Sequence, residues 1–154
     1  SGDKIFIGRR NIQSLFWSIK KEKIMENKKI LIIDNDPDFV VATTVVLEAK
    51  GYKVFSAKDR KDGIEKVGHV LPDLIIMDVM MEKMSDGFDL TREIKNDERY
   101  KKIPILMLTA VGEKTGFSFS KNAGDEVWLP VDDYAEKPVK PKELIAKIEK
   151  LILK

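Results

Sequence analysis

The chain has 154 residues, of which 43% are hydrophobic and 35% are charged, as expected for one domain with a sizeable core. It has no cysteine and one histidine, His69, so disulfides, thiolate or multi-histidine metal sites and cysteine nucleophiles are excluded. Its apolar runs fall far short of the roughly 20 residues that a membrane-spanning helix needs. We therefore expect a soluble protein without membrane insertion, and the lack of cysteine favours the cytoplasm.

The net charge of +2 is unevenly distributed along the chain. Residues 1–29 hold eight basic and three acidic residues, whereas the remainder holds 20 basic and 23 acidic residues. The basic excess therefore lies outside the body of the chain, and this charge pattern does not favour nucleic acid as a partner. DNA binding through the basic N-terminus is a weaker alternative, which a salt titration before and after deletion of residues 1–24 would test.

Residues 1–28 are predicted to be an N-terminal extension of the domain. Four apolar residues recur at helical spacing and predict a short amphipathic helix: Ile12, Leu15, Phe16 and Ile19. No long apolar core of a signal peptide is present. Ser1-Gly2 resembles a scar from tag cleavage, and the purine-rich codons of residues 20–25 suggest a ribosome-binding site upstream of a natural start at Met25. A partner-binding helix is the alternative hypothesis.

From Lys29 onward, short apolar runs alternate with helical patterns. The apolar runs predict five strands, at residues 30–33, 52–55, 74–77, 105–108 and 134–136. The intervening patterns predict helices at residues 37–49, 59–69, 87–96, within 112–123, and at 141–152. Because the runs are apolar on both faces and separated by helices, they predict a doubly wound α/β domain with a parallel sheet covered on both sides.

Two helices carry specific start and stop signals. Asp36 before Pro37 predicts an N-cap and a first-turn proline, and Gly51 predicts the end of the same helix. Pro141 predicts the start of the last helix in the same way. The sequence ends with that helix, so we expect no second domain after it.

Polar residues follow four of the five predicted strands. The first is followed by Asp34-Asn35-Asp36, the third by Asp78, the fourth by Thr109 and the fifth by Lys137. Functional groups of open parallel sheets gather at the carboxyl ends of the strands, so these side chains are expected to meet.

Their chemistry suits phosphoryl transfer. Asp34 and Asp78, with Asn35 as a neutral oxygen donor, can hold Mg²⁺, which prefers hard oxygen ligands. A carboxylate can also act as a nucleophile and form an aspartyl-phosphate, while Lys137 and the Thr109 hydroxyl stabilise the transferring oxygens. Each residue alone would be an ordinary cap, loop acid or surface lysine, and His69 is expected to be a surface residue. The joint occurrence at four strand ends is what favours a site.

The chain resembles the receiver domain of bacterial two-component response regulators over residues 29–154. The resemblance rests on Lys29-Ile-Leu-Ile-Ile-Asp34-Asn-Asp-Pro, Leu74-Ile-Ile-Met-Asp78-Val-Met-Met, Asp86-Gly-Phe-Asp-Leu, Ile103-Pro-Ile-Leu-Met-Leu-Thr109-Ala and Tyr134-Ala-Glu-Lys137-Pro138. It implies a five-stranded parallel sheet of order 2-1-3-4-5 in a flavodoxin-like three-layer sandwich.

The resemblance also implies a role for each site residue. Asp78 would accept a phosphoryl group from a sensor histidine kinase or a phosphotransfer protein. Asp34, the position of Asn35, Asp78 and the backbone carbonyl of Met80 would hold Mg²⁺, and Lys137 would contact the phosphoryl group. Thr109 and Tyr134 would form the switch pair. The peptide bond before Pro138 would be cis.

Three departures from the family pattern are visible. Asn35 stands where receivers usually have a second acid, so Mg²⁺ affinity is expected to be lower, and Asp36 is both a substitute and the natural helix cap. The loop 79–87 lacks a common proline and has one residue more than usual. Residues 110–133 are also longer than a receiver needs. There, Phe117, Phe119 and Trp128 are predicted to cover an enlarged loop, with a partner surface as the alternative.

These observations leave several functions in competition. The first is a stand-alone receiver that signals to an unidentified downstream protein. Such a receiver is not an enzyme in its own right and has at most self-catalysed phosphotransfer and dephosphorylation. The runner-up is a pseudo-receiver that binds partners without phosphorylation. A phosphatase-type hydrolase is a third hypothesis, but the sequence shows neither a nearby general acid nor a substrate-covering cap.

Overall fold

The computed structural model describes residues 9–79, 81, 86–110 and 131–154. Within these residues the chain forms five helices and five strands. In chain order they are α1 (Arg9–Met25), β1 (Lys29–Ile33), α2 (Pro37–Ala49), β2 (Lys53–Ala57), α3 (Arg60–Val70), β3 (Leu74–Asp78), α4 (Asp86–Lys95), β4 (Ile105–Ala110), β5 (Asp133–Lys137) and α5 (Pro141–Ile152).

The five strands form one parallel sheet in the order β2-β1-β3-β4-β5. Register pairs such as Ile32 with Ile76 and Met77 with Met107 align the strands, so that their carboxyl ends lie along one edge. The predicted topology is confirmed. The strand bounds differ from the prediction by one or two residues, since β4 and β5 continue through Thr109 and Lys137 into the polar positions at that edge.

Both faces of the sheet are covered by helices. On one face, Ile33, Ile75 and Met107 pack with Val67 of α3 and Leu90 of α4. The other face buries Ile32, Ile76 and Leu108 of the sheet, Leu47 of α2 and Ile148 of α5. These two apolar layers form the three-layer sandwich that the two-sided strands predict.

The start of α2 follows its sequence signals. The Asp36 carboxylate accepts the backbone N–H groups of Asp38 and Phe39 at 3.1 and 3.2 Å, so Asp36 is the N-cap. The helix ends at Ala49, and Gly51 then takes a positive φ of 91°, which a residue with a side chain rarely adopts. Both boundaries of the predicted helix are confirmed.

The N-terminal helix differs from the prediction. It is 17 residues long and runs without interruption to Met25, which is buried against the sheet. Its apolar residues Ile12, Leu15, Phe16 and Ile19 are between 42% and 67% exposed, so the amphipathic face does not pack on the domain. The helix is joined to α5 by an ion pair of 3.1 Å between Lys21 and Glu149. The hypothesis of a natural start at Met25 stays a prediction.

Some predictions fall on residues outside the described ones. They are the helix within 112–123 and the side chains of Phe117, Phe119 and Trp128. Among the described residues, no helix has the length and apolar character needed to cross a membrane.

Candidate functional site

Three charged side chains meet at the carboxyl edge of the sheet. Asp34 follows β1, Asp78 is the last residue of β3, and Lys137 is the last residue of β5. The Nζ atom of Lys137 donates to Oδ2 of Asp34 at 2.6 Å and lies 3.9 Å from Oδ1 of Asp78. The structure thus brings together three of the residues that the sequence predicted for the site. The peptide bond from Lys137 to Pro138 is cis, as the resemblance implies.

This cluster is largely shielded from water. The side chains are 1% exposed for Asp34, 11% for Asp78 and 19% for Lys137. Removing a charge from water is costly unless another charge or a hydrogen bond compensates it. Lys137 supplies that compensation to Asp34, whose Oδ1 also accepts the backbone N–H of Asp36 at 2.9 Å.

An aromatic ring completes the surroundings of Lys137. Its Nζ lies 4.2 Å from the centroid of the Phe39 ring, a cation–π distance. Phe39 sits in the first turn of α2, three residues after the N-cap Asp36, and the cap fixes the direction in which that turn leaves the site. Sequence analysis missed Phe39. The available signal was its position in the helical turn directly after Asp34.

Asn35 is exposed and holds two loops together. Its Nδ2 donates to the backbone carbonyl of Met81 at 3.0 Å, which links the β1–α2 connection to the β3–α4 connection. Asp36, the other acid at this strand end, is occupied as the cap of α2. The position where receivers usually carry a second acid is therefore a neutral tether in this chain.

Gly87, in the first turn of α4, lies against the end of β3. Val79 donates its N–H to the carbonyl of Leu108, and Gly87 donates its N–H to the carbonyl of Val79, both at 2.9 Å. A Cβ atom at position 87 would clash with the carbonyl oxygen of Asp78 and lie 2.7 Å from backbone atoms of Val79. Only glycine fits there. Met80, predicted to offer its carbonyl to a metal, lies outside the described residues.

Thr109 and Tyr134, the expected switch pair, lie on neighbouring strands. Thr109 is in register with Glu136, and Tyr134 is in register with Met107. Because side chains alternate along a strand, Thr109, Met107 and Tyr134 belong to the same face of the sheet. The switch residues are therefore diagonal neighbours on the face covered by α3 and α4, where Tyr134 packs against the core.

The donor set fits a small hard cation. Mg²⁺ is commonly held by one or two carboxylates together with water, and Asp34 and Asp78 are two carboxylates that share one positive neighbour. They would hold the ion, and Asn35 would add no negative charge to the site. In the described part of the chain, no group of three or more His, Cys, Asp or Glu side chains is placed to bind a metal. An ion held by Asp34 and Asp78 would keep several of its waters, as Mg²⁺ usually does in proteins.

Known proteins are similar to this chain. Residues 30–149 match the response regulator receiver domain. PhoP of Bacillus subtilis, an alkaline phosphatase synthesis transcriptional regulatory protein, is 36% identical over 126 residues, which are 82% of this chain and 49% of PhoP. The chain spans about half the length of the first curated relatives it matches, 49%, 48% and 53%.

Solved structures agree with the match. A response regulator from Chloroflexus aurantiacus superposes with a TM-score of 0.72 at 29% identity, covering 84% of this chain and all of that one. The receiver domain of the sensor histidine kinase PA1611 of Pseudomonas aeruginosa, with magnesium in its active site cleft, has a TM-score of 0.70 at 26% identity. It covers 83% of this chain and 99% of its own. The chain therefore belongs to the response regulator receiver domain family.

Proposed function

We propose that Asp78 is the phosphoacceptor of a two-component signalling pathway and takes its phosphoryl group from a sensor histidine kinase or a phosphotransfer protein. The observation that carries the proposal is the placement of the Asp78 carboxylate, at the end of a buried strand and 3.9 Å from Lys137 Nζ. The ammonium of Lys137 would stand beside a phosphoryl group on Asp78 and offset part of its negative charge.

The chemistry is a transfer between two covalent carriers. An oxygen of Asp78 attacks the phosphorus of a phosphohistidine, the phosphorus–nitrogen bond breaks, and the imidazole keeps the electron pair. The product is an acyl phosphate, whose oxygens accept hydrogen bonds from Lys137 and the Thr109 hydroxyl. Mg²⁺, when bound, neutralises the developing negative charge. In this scheme the chain is a phosphoacceptor with at most self-catalysed phosphotransfer and dephosphorylation, not an enzyme acting on a separate substrate.

The output is proposed to be phosphorylation-dependent binding of a downstream protein. Thr109 would move toward the phosphoryl group, and Tyr134 on the neighbouring strand would move with it. The movement of Tyr134 would change the surface formed by β5 and α5.

We propose a single-domain protein of the bacterial cytoplasm. This chain spans 49% of PhoP, so a regulator with a second domain is the alternative. An intact native mass of about 15 to 18 kDa would agree with the single-domain form, and a clearly larger mass would contradict it.

Intact mass spectrometry tests the phosphoacceptor. The wild type and Asp78→Asn are incubated in parallel with Mg²⁺ and acetyl phosphate, and then with a histidine kinase as donor. One phosphoryl adduct on the wild type alone is the expected result. An unmodified wild type with both donors would contradict the proposal, and an adduct on both proteins would place the acceptor elsewhere.

A pseudo-receiver is the second candidate, and Asn35 is the observation that favours it. This residue removes one charge from the acidic pocket and uses its amide to tie two loops together. A pseudo-receiver would bind its partner with the same affinity in three samples: the untreated wild type, the Asp78→Asn variant and the wild type treated with a phosphodonor. A state-dependent affinity would exclude it.

A further inference from the structure

Within the described part of the chain, the ammonium of Lys137 lies close to two carboxylates and one aromatic ring. It donates to Asp34 at 2.6 Å, lies 3.9 Å from Asp78 and stands over the Phe39 ring at 4.2 Å. The ring lies on the side of α2 that packs against the core formed with α5, and Phe39 itself is partly buried. The ammonium is thus held from two directions, by a carboxylate and by an aromatic face.

The ring adds a second restraint to a long side chain that Asp34 already holds at its end. Lysine has four rotatable side-chain bonds, and fixing them costs conformational entropy. The attraction between an ammonium and an aromatic face offsets part of this cost, and it is stronger where the cation is shielded from water. With its side chain 19% exposed, Lys137 is mostly shielded.

We propose that Phe39 is a positioning residue that holds Lys137 at Asp34 and within reach of the phosphoryl group on Asp78. The inference rests on the proposed function for its phosphotransfer consequence, but not for the contact itself. It assigns two opposite effects to one ring. The ring keeps Lys137 against Asp34, where the ammonium competes with a divalent cation, and it keeps Lys137 ready to stabilise the transferring oxygens.

The variants separate the ring from the volume it fills. Phe39→Leu removes the aromatic face and keeps an apolar side chain, whereas Phe39→Tyr keeps the face. Phe55→Leu is the matched control, because the same chemical change is made on β2, at the opposite edge of the sheet from β5. Phe39→Met is the second variant if Phe39→Leu does not fold, as judged by dispersion of its NMR spectrum.

The first readout is the NMR signal of the side-chain methylene protons of Lys137. Protons over a ring face are shifted upfield, so this shift is expected in the wild type, in Phe39→Tyr and in Phe55→Leu. It is expected to disappear in Phe39→Leu. A wild type without the upfield shift, or a Phe39→Leu variant that keeps it, would overturn the contact and with it the proposal.

The second and third readouts are the Mg²⁺ dissociation constant by calorimetry and the rate of acetyl phosphate-dependent phosphorylation at saturating Mg²⁺. A cation–π contact of ordinary strength predicts that Phe39→Leu binds Mg²⁺ about two- to fivefold more tightly. The same variant is expected to be phosphorylated about two- to fivefold more slowly. Phe39→Tyr and Phe55→Leu should stay within about twofold of the wild type.

The opposite signs distinguish positioning from a packing defect. A merely structural role would weaken Mg²⁺ binding and slow phosphorylation together, and that outcome overturns the proposal, as does the absence of either change. If the wild type itself is not phosphorylated by any donor, the proposed function fails together with the phosphotransfer part of this inference. The NMR and Mg²⁺ measurements still decide whether Phe39 holds Lys137 at Asp34.

Discussion

Lys137 Nζ donates to Asp34 Oδ2 at 2.6 Å although the two residues are 103 positions apart in the sequence. The pair joins the end of β1 to the end of the edge strand β5, over the two strands that lie between them. Because both side chains are shielded, truncation of either partner leaves a charge that water solvates poorly. The same ion pair therefore contributes to the stability of the fold and to the arrangement of the site.

A double-mutant cycle measures this coupling. Asp34→Asn and Lys137→Met are each expected to lower the free energy of unfolding, and the double variant to lose less than the sum. The expected coupling energy is about 1 to 3 kcal/mol, the upper part of the range measured for residues in contact. Urea unfolding at neutral pH provides the four free energies. Additivity within about 0.5 kcal/mol would show that the ion pair contributes nothing to stability.

The sequence predicted those residues of the site whose positions follow from the ends of the strands. Two-sided apolar runs predict parallel strands, and parallel strands place Asp34, Asp78 and Lys137 along one edge whatever the details of packing. The Phe39 contact depends on the rotational phase of α2, which follows from the cap geometry of Asp36 and from packing on the core. Sequence periodicity does not determine that phase.

The same limit applies to the tether and to the N-terminal helix. The residue type of Asn35 predicts a loss of charge, but its bond to Met81 depends on the conformation of a second loop. The apolar spacing of Ile12 to Ile19 predicts a helix with one apolar face. It does not state whether that face is buried, because burial requires a partner surface, and in the described structure these residues are exposed.

Restoring an acid at position 35 tests the departure in the acidic pocket. Asn35→Asp adds a negative charge beside Asp34 and Asp78, so Mg²⁺ is expected to bind about tenfold more tightly, since charge count is a main determinant of affinity for hard cations. Calorimetric titration with Mg²⁺ measures the constant. Asn35→Ser is the matched control, because it also removes the bond to Met81 without adding charge. Equal tightening in both variants would assign the effect to the loop and not to the charge.

Gly87 is expected to be intolerant of any side chain. Gly87→Ala places a Cβ against the carbonyl oxygen of Asp78 and the backbone of Val79, so backbone and not a flexible side chain must shift. We expect a loss of about 2 to 4 kcal/mol in the free energy of unfolding, within the range for overpacking and backbone strain.

A second helical glycine provides the control for this prediction. In Gly68→Ala on α3, the Cβ meets the hydroxyl oxygen of Tyr100 at 3.0 Å, the end of a side chain and not backbone. The change is expected to stay within about 1 kcal/mol, because alanine favours the helix by a similar amount. Urea unfolding of both variants measures the difference. Equal effects at the two positions would contradict the steric argument for Gly87.

Tyr52 is expected to make stability fall at high pH. Burial, with a smaller contribution from the nearby Glu149 carboxylate, raises the pKa of Tyr52 to about 12, whereas a tyrosine in the unfolded chain ionises near pH 10. Between about pH 10 and 12 the unfolded chain releases this proton and the folded chain keeps it, so the free energy of unfolding decreases as the pH rises.

Tyr52→Phe has no hydroxyl to ionise and serves as the reference, because both proteins share every lysine that titrates in the same range. Urea unfolding at intervals from about pH 9 to 11.5 should show the wild type losing up to about 2 kcal/mol relative to Tyr52→Phe. Parallel curves for the two proteins would mean that Tyr52 ionises as readily in the folded chain as in the unfolded one.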